Sequence, residues 1–232
     1  MSSTTSAHRT CIVTGGADDC AKSLLEEDRA RLVTLKADVT SASDMEGVFA
    51  TVIEKFGQIN VVVNNAGIAD HFAPIGDVEK EYLERVLAVN TVAPAMISEM
   101  AVRHMLKQDP SGGTILNVAS ASGAHGFRAG VAYAMSKHVV IGLTKNIAAF
   151  YGPKGIRYVA IMPGGMATNI VSPEMMENSH QEGLQLAMKM RGAGGSMCPF
   201  PEVAKVVLSL CSDGMQSVNG ACVSVDNGWT SF

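Results

Sequence analysis

Tyr133 and Lys137 stand four residues apart in a stretch, Val131 to Tyr151, that reads as one long helix, so both side chains leave the same face. A phenol that titrates near pH ~10 moves protons poorly at neutral pH unless a nearby cation favours its ionised form. An ammonium one turn away could supply that charge. Ser120 lies thirteen residues before Tyr133, at the end of the strand-like run Gly113 to Ser120. Strand ends are where open α/β sheets place their ligands, and a hydroxyl there can hydrogen-bond a carbonyl oxygen. The three residues together suit proton transfer at an oxygen of a small molecule.

Alternating strand-like and helix-like segments must hold them in place. Cys11-Ile12-Val13 runs into the turn Thr14-Gly15-Gly16, Asp18 to Asp28 has helix formers and caps, and Arg31 to Val39 reads as a strand. Ser43 to Phe56 is amphipathic, with Met45, Val48, Phe49, Val52 and Ile53 on one face, and Ile59 to Val63 is apolar enough to be buried on both sides. Asp77 to Lys107 is a long helical stretch. After the Tyr133 helix come a strand at Ile156 to Met162, stopped by Pro163-Gly164, a helix at Glu202 to Cys211 and a strand at Ala221 to Val225. This alternation predicts an α/β fold, a doubly wound parallel sheet with helices on both faces, in one domain spanning 1–232. Residues 1–9 read as a disordered start, and 172–195, rich in Met, Glu and Gln, as a mobile flap.

Composition narrows the function. The chain has 232 residues, 47% hydrophobic and 17% charged, which sets it apart from disordered proteins. Its 18 basic and 22 acidic residues give a net charge of −4 with no basic block, which argues against nucleic acid or a polybasic membrane anchor as partner. No apolar run reaches membrane-spanning length, and the start has no signal-peptide pattern, so a soluble, cytoplasmic protein is expected. Five scattered cysteines, Cys11, Cys20, Cys198, Cys211 and Cys222, suit a reduced compartment, and the dispersed histidines lack metal-ligand spacing. His125 and His138 invite an acid/base reading but fit structural or surface positions better.

Taken in order, Asn64-Asn65-Ala66-Gly67, Asn90, Ser120, Tyr133, Lys137, Pro163-Gly164 with Thr168, and Val225-Asp226-Asn227-Gly228-Trp229 make the chain resemble the short-chain dehydrogenase/reductase family. The resemblance implies a Rossmann-like fold and hydride transfer between NAD or NADP and a secondary alcohol/ketone pair. Tyr133 would move the proton, Lys137 would also grip the nicotinamide ribose, Ser120 would orient the carbonyl, and Asn90 would hold a water in a relay. It also implies cofactor contacts from Gly15, Asp38, Val39, Asn65, Ala66, Gly67, Pro163, Gly164 and Thr168. Ile161 falls near the nicotinamide by the same matching. Asp38 would lie against adenine, with helix capping as its plainer role. Relatives assemble as homodimers or homotetramers through the helices corresponding to Asp77–Lys107 and Val131–Tyr151. The Met-rich flap, with Met175, Met176, Met188 and Met190, suggests a small, fairly hydrophobic substrate.

One region departs from the family. Its first turn reads TGxxxGxG, with glycines that let the backbone approach a pyrophosphate. Here Asp19 and Ala21 stand at the second and third glycine positions, and two carboxylates, Asp18 and Asp19, would repel a phosphate. The family runs two βαβ units before its Asp-Val pair, whereas Cys11 to Val39 holds only one, so roughly twenty to thirty residues are missing after Ala17. A right-handed crossover would bring Arg31 to Val39 beside the first strand and give a six-stranded sheet; the alternative leaves an empty slot. The departure keeps two further readings open: a cofactor-deficient protein on the same fold, and a written sequence that lacks a segment of the natural one.

Overall fold

In this computed structural model, the structure describes residues 9–16, 31–126, 128–192 and 197–231. The expected helix at Asp18–Asp28, the turn around Asp19, residues 1–8 and part of the flap lie outside them.

Five parallel strands form one sheet in the order of the chain: β1 (Cys11–Val13), β2 (Val61–Asn64), β3 (Gly113–Val118), β4 (Ile156–Pro163) and β5 (Cys222–Val225). Side chains alternate across a strand, so the register sorts them onto two faces. Ile12, Val62, Ile115 and Tyr158 stand side by side across four strands, with α1 (Ala42–Phe56) and α3 (Ala93–Met105) packed over them through Met45, Phe49, Ile97, Ala101 and Met105. Val63, Leu116 and Val159 form the row on the other face and pack with Val203, Leu210 and Cys211 of α7 (Phe200–Cys211). The sheet is thus flanked by helices on both faces.

The sheet has five strands where six were expected. Residues 32–38 form no ladder, and Thr34, Leu35, Lys36 and Asp38 are exposed. The apolar alternation that suggested a strand needs a hydrogen-bonded neighbour to become one, and β1 offers a ladder of only three residues.

Three helices set up the site. The stretch expected at Asp77–Lys107 divides into α2 (Lys80–Leu87), a π turn (Ala88–Val92) and α3. α4 (Val131–Tyr151) buries Ala132, Ser136, Val140, Thr144 and Ala148, small side chains at every fourth position. That stripe lets the helix lie close to the sheet, near enough for the Lys137 stem to reach a strand carbonyl. In the region read as a flap, α5 (Pro173–Glu177) starts at the N-cap Ser172, whose Oγ accepts from the Met175 N–H, and α6 (Gln181–Gly192) follows.

Candidate active site

Ser120 lies just beyond β3, where it caps the short 3-10 turn Ala121–Gly123 and its Oγ accepts the Ser122 N–H at 3.1 Å. Its side chain also lies near the Tyr133 phenol, whose ionisation it favours. Lys137, one turn further along α4, donates from Nζ to the Val118 carbonyl at 2.8 Å, and its Nζ stands 5.4 Å from the Tyr133 ring centroid. Gly67 completes this side: a Cβ built there would stand 3.3 Å from Asn90 Oδ1 and 3.6 Å from Lys137 Nζ.

Asn90 sits in the π turn, buried and fully engaged. Its Oδ1 accepts the Ile68 N–H at 2.9 Å, while its Nδ2 donates to the Ile68 carbonyl at 2.9 Å and to Ser136 Oγ at 3.1 Å. The side chain therefore ties the loop after β2 to the helix that carries Tyr133.

The loops on the β1 side are clasped by Thr14. Its Oγ1 accepts the N–H groups of Asn65 at 3.1 Å and Ala66 at 3.0 Å, and Asn65 Nδ2 donates back to the Thr14 carbonyl at 2.9 Å. Gly15 follows with φ +79°, a left-handed conformation that favours glycine, and a Cβ there would press to 3.2 Å from Ala66 Cα. On the far side, the Gly164 N–H bonds to the Val225 carbonyl at 3.0 Å, which fastens the Pro163-Gly164 turn to the end of β5.

The contacts that join Ser120, Tyr133, Lys137, Gly67 and Asn90 do not extend to Asp38, Val39 or Thr168. Thr168 is exposed on the loop leaving β4. Asp38 Oδ1 accepts both the N–H and the hydroxyl of Thr40, at 2.9 and 2.7 Å, so its carboxylate builds the turn into α1 and is held below its ordinary pKa. Val39 packs against the core. Ile161 is buried in β4, and His138 Nδ1 contacts the Ala134 carbonyl on the exposed side of α4. Among the described residues no cluster of His, Cys, Asp and Glu is arranged to hold a metal ion. Two contributors escaped the sequence reading, Ser136 and Asp70. Ser136 stands one residue before Lys137 and was legible as a small buried position, whereas Asp70 had no local signal.

Burial dominates the electrostatics. It pushes the Tyr133 phenol up to about 12, opposed by the nearby Ser120 side chain and helped by the negative charge of Asp70. The same burial brings the Lys137 ammonium down to about 8. Desolvation opposes both charges, and Tyr133, partly buried beside the buried Lys137, holds its proton at neutral pH.

A parallel sheet with these residues gathered at the strand C-termini defines a dehydrogenase/reductase of the Rossmann type. The chain belongs to the short-chain dehydrogenase/reductase family: the family profile described as enoyl-(acyl carrier protein) reductase matches residues 10–230. A short chain dehydrogenase/reductase, dpchG, of Colletotrichum higginsianum is 39% identical and covers 99% of this chain and 96% of its own length. That alignment spans 258 positions, more than this chain has residues, so the relative carries residues with no counterpart here. A 3beta-hydroxysteroid dehydrogenase of Eggerthella lenta is 32% identical over 97% of this chain and 96% of that one. Among solved structures, a 3-ketoacyl-(acyl-carrier-protein) reductase from Brucella melitensis, complexed with NADH, superposes with a TM-score of 0.77 at 25% identity, covering 95% of this chain and 87% of that one.

Lys137 is a buried N–H donor beside the Tyr133 ring, a donor set whose chemistry fits the hydroxyls of a nicotinamide ribose. Gly67 packs against Asn90 and Lys137, and Gly164 against Asp226 and Cys198, so at both positions the absent side chain leaves room for the chain's own residues. The turn that would face the pyrophosphate lies mostly outside the described residues.

Proposed function

We propose that this chain is a nicotinamide-dependent oxidoreductase that interconverts a secondary alcohol and a ketone, with Tyr133 as general acid/base. The observation that carries the reading is the placement of Lys137 Nζ 5.4 Å from the Tyr133 ring, with Ser120 near the phenol, at the C-terminal end of β3. A carbonyl oxygen set between the two hydroxyls would accept a hydrogen bond from each. NAD(P)H, when bound, supplies the hydride that the carbonyl carbon receives. Tyr133, protonated at neutral pH, gives its proton to the oxygen as negative charge develops there. Lys137 lowers the cost of the resulting phenolate, and Asn90 fixes the loop and helix between which the relay runs. Lys137, Gly67, Pro163, Gly164 and Thr168 would hold the nicotinamide half, with Asn65, Ala66, Gly15, Asp38 and Val39 toward adenosine.

The substrate is a small, fairly hydrophobic carbonyl compound, in keeping with Met175, Met176, Met188 and Met190 in α5 and α6. The functional unit is a homodimer or homotetramer. α4 supports it with an apolar stripe, Met135, Val139 and Phe150, exposed at 42%, 47% and 67%.

A second reading, a cofactor-deficient protein on the same fold, rests on the five-stranded sheet and on the 32–38 segment, which pairs with no strand. Titration of the purified chain with NADH and with NADPH, followed by nucleotide fluorescence and thermal melting, separates the two. Saturable binding with a raised Tm, then turnover of a panel of ketones, is the expected result. A cooperative melt that neither nucleotide shifts would favour the second reading.

A further inference from the structure

Helix α4 begins without a cap of its own. Its N-cap residue is Gly130, which has no side chain to receive the N–H groups that every helix start leaves unpaired. They are received by the loop after β2. Asp70, 3% exposed, accepts the Gly130 N–H through Oδ1 at 3.0 Å and the Tyr133 N–H through Oδ2 at 2.9 Å, and its Oδ1 also takes the Phe72 N–H at 3.1 Å. The Val131 N–H goes to the Ala73 carbonyl at 3.0 Å. No ordinary cap fits instead, because a Cβ at Gly130 would stand 2.6 Å from Asp70 Oδ2 and 2.7 Å from Ala73 N.

We propose that Asp70 is a positioning residue for the reaction: its carboxylate, placed sixty residues upstream in the chain, clamps the first turn of α4 by the backbone of Tyr133 and so fixes where the Tyr133 side chain stands relative to Ser120 and Lys137. The inference rests on the functional reading above and adds a residue that makes no contact with substrate or cofactor. A carboxylate at a helix N-terminus is favoured by the helix dipole as well as by the hydrogen bonds. Its charge also reaches the phenol, where it opposes ionisation. The other titratable groups around the pair are Lys137 on α4, and His71, Asp77, Tyr82 and His180 around the loop. His71 is stacked on Tyr82, and His180 is paired with Asp77 at 3.3 Å.

The test is Asp70→Asn in the full chain, which keeps the shape but removes the charge and turns one acceptor into a donor. The expected result is a kcat lower by about 10- to 100-fold with KM for ketone and nucleotide within about threefold. In alcohol oxidation, the pH at which activity rises moves to a lower value, because a negative charge beside the phenol is gone. A merely structural role would lower the folded fraction without moving that limb. Ultraviolet difference titration of the phenol, with Tyr133→Phe as the blank, reads the same shift without any turnover. If the folded wild-type chain reduces no ketone, the functional reading fails while this titration still decides on Asp70. A folded variant with wild-type kcat or, where no turnover exists, an unmoved phenol titration overturns the assignment. If Asp70→Asn does not fold, Asp70→Ser, a neutral cap, carries the same readouts; failure of both to fold would make Asp70 a folding residue and also overturn it.

Discussion

Pro94 lies four residues beyond Asn90 and has no N–H to offer the Asn90 carbonyl. The helical run answers with the π turn, in which the Ala93 N–H reaches back to the Ala88 carbonyl. One proline thus leaves the main-chain oxygen of Asn90 without its α-helical donor, at the spot where the Asn90 side chain grips Ile68 and Ser136. π turns concentrate at functional sites, and here the local cause is visible. Pro94→Ala restores the donor and removes the ring. Turnover should fall by about tenfold or more while Tm holds or rises, which steady-state kinetics and thermal melting would check. Unchanged kcat would detach the π turn from the reaction.

Tyr133→Phe removes the proton donor and little else. Ketone reduction should drop by at least about 100-fold with nucleotide binding intact. Because its folded value of about 12 exceeds the ordinary phenol value near 10, stability from this site is present below pH ~10 and lost as pH rises toward ~12. Denaturant titrations across that window should show the wild-type chain losing more stability than Tyr133→Phe.

Lys137 works in the opposite sense. Its folded value of about 8 lies below the ordinary 10.5, so burying the charged form weakens the fold at neutral pH. That penalty fades as pH rises from ~8 to ~10.5. Lys137→Met should abolish turnover yet strengthen the fold at pH 7 by about 1–3 kcal/mol, with the gain shrinking toward pH ~10.5. A variant less stable than wild type at pH 7 would show that the Val118 hydrogen bond outweighs desolvation.

Thr14→Val keeps the shape of a buried side chain but strands the Ala66 N–H, while the Asn65 N–H keeps the Val63 carbonyl at 3.0 Å. Unsatisfied donors of this kind cost about 1–3 kcal/mol, and Thr14→Ser, which retains the acceptor, should recover most of it. Denaturant midpoints of the two variants give the comparison directly.

Phe150→Glu, with or without Val139→Glu, charges the exposed apolar stripe of α4. A lower mass in sedimentation velocity with an intact melt is the expected outcome; an unchanged mass would place the assembly contact elsewhere.

Much of the fold was legible because buried parallel strands are written as continuous apolar runs, and β2, β3 and β4 fall within two residues of their expected places. Tyr133 and Lys137 share a helix face by their spacing, and Ser120 sits at a strand end, but it was their match to the family pattern that singled the three out. Residues 32–38 were misread because a strand depends on its neighbour, and alternation alone says nothing of whether the neighbour is there. Asp70 was illegible in principle. Its partners, Gly130 and Tyr133, are sixty residues away, and only the fold reveals that the helix start lacks a cap. The one clue was negative, a glycine where Ser, Thr or Asp would serve.

Among the described residues β1 is the edge of the sheet, joined by a three-residue ladder, and Val13 in it is 54% exposed. Tyr133 and Lys137 instead stand on a helix packed against interior strands. Backbone amides of Ile12 to Thr14 will therefore exchange with solvent through brief partial openings, while those beside Lys137 wait for the whole domain to unfold. When β1 lets go, Thr14 and Gly15 leave with it, and the clasp on Asn65 and Ala66 opens before the Tyr133 and Lys137 side does. A dinucleotide bound against Thr14 and Gly15, as proposed above, would slow that first opening, so deuterium uptake at β1 would fall when NADH or NADPH is added.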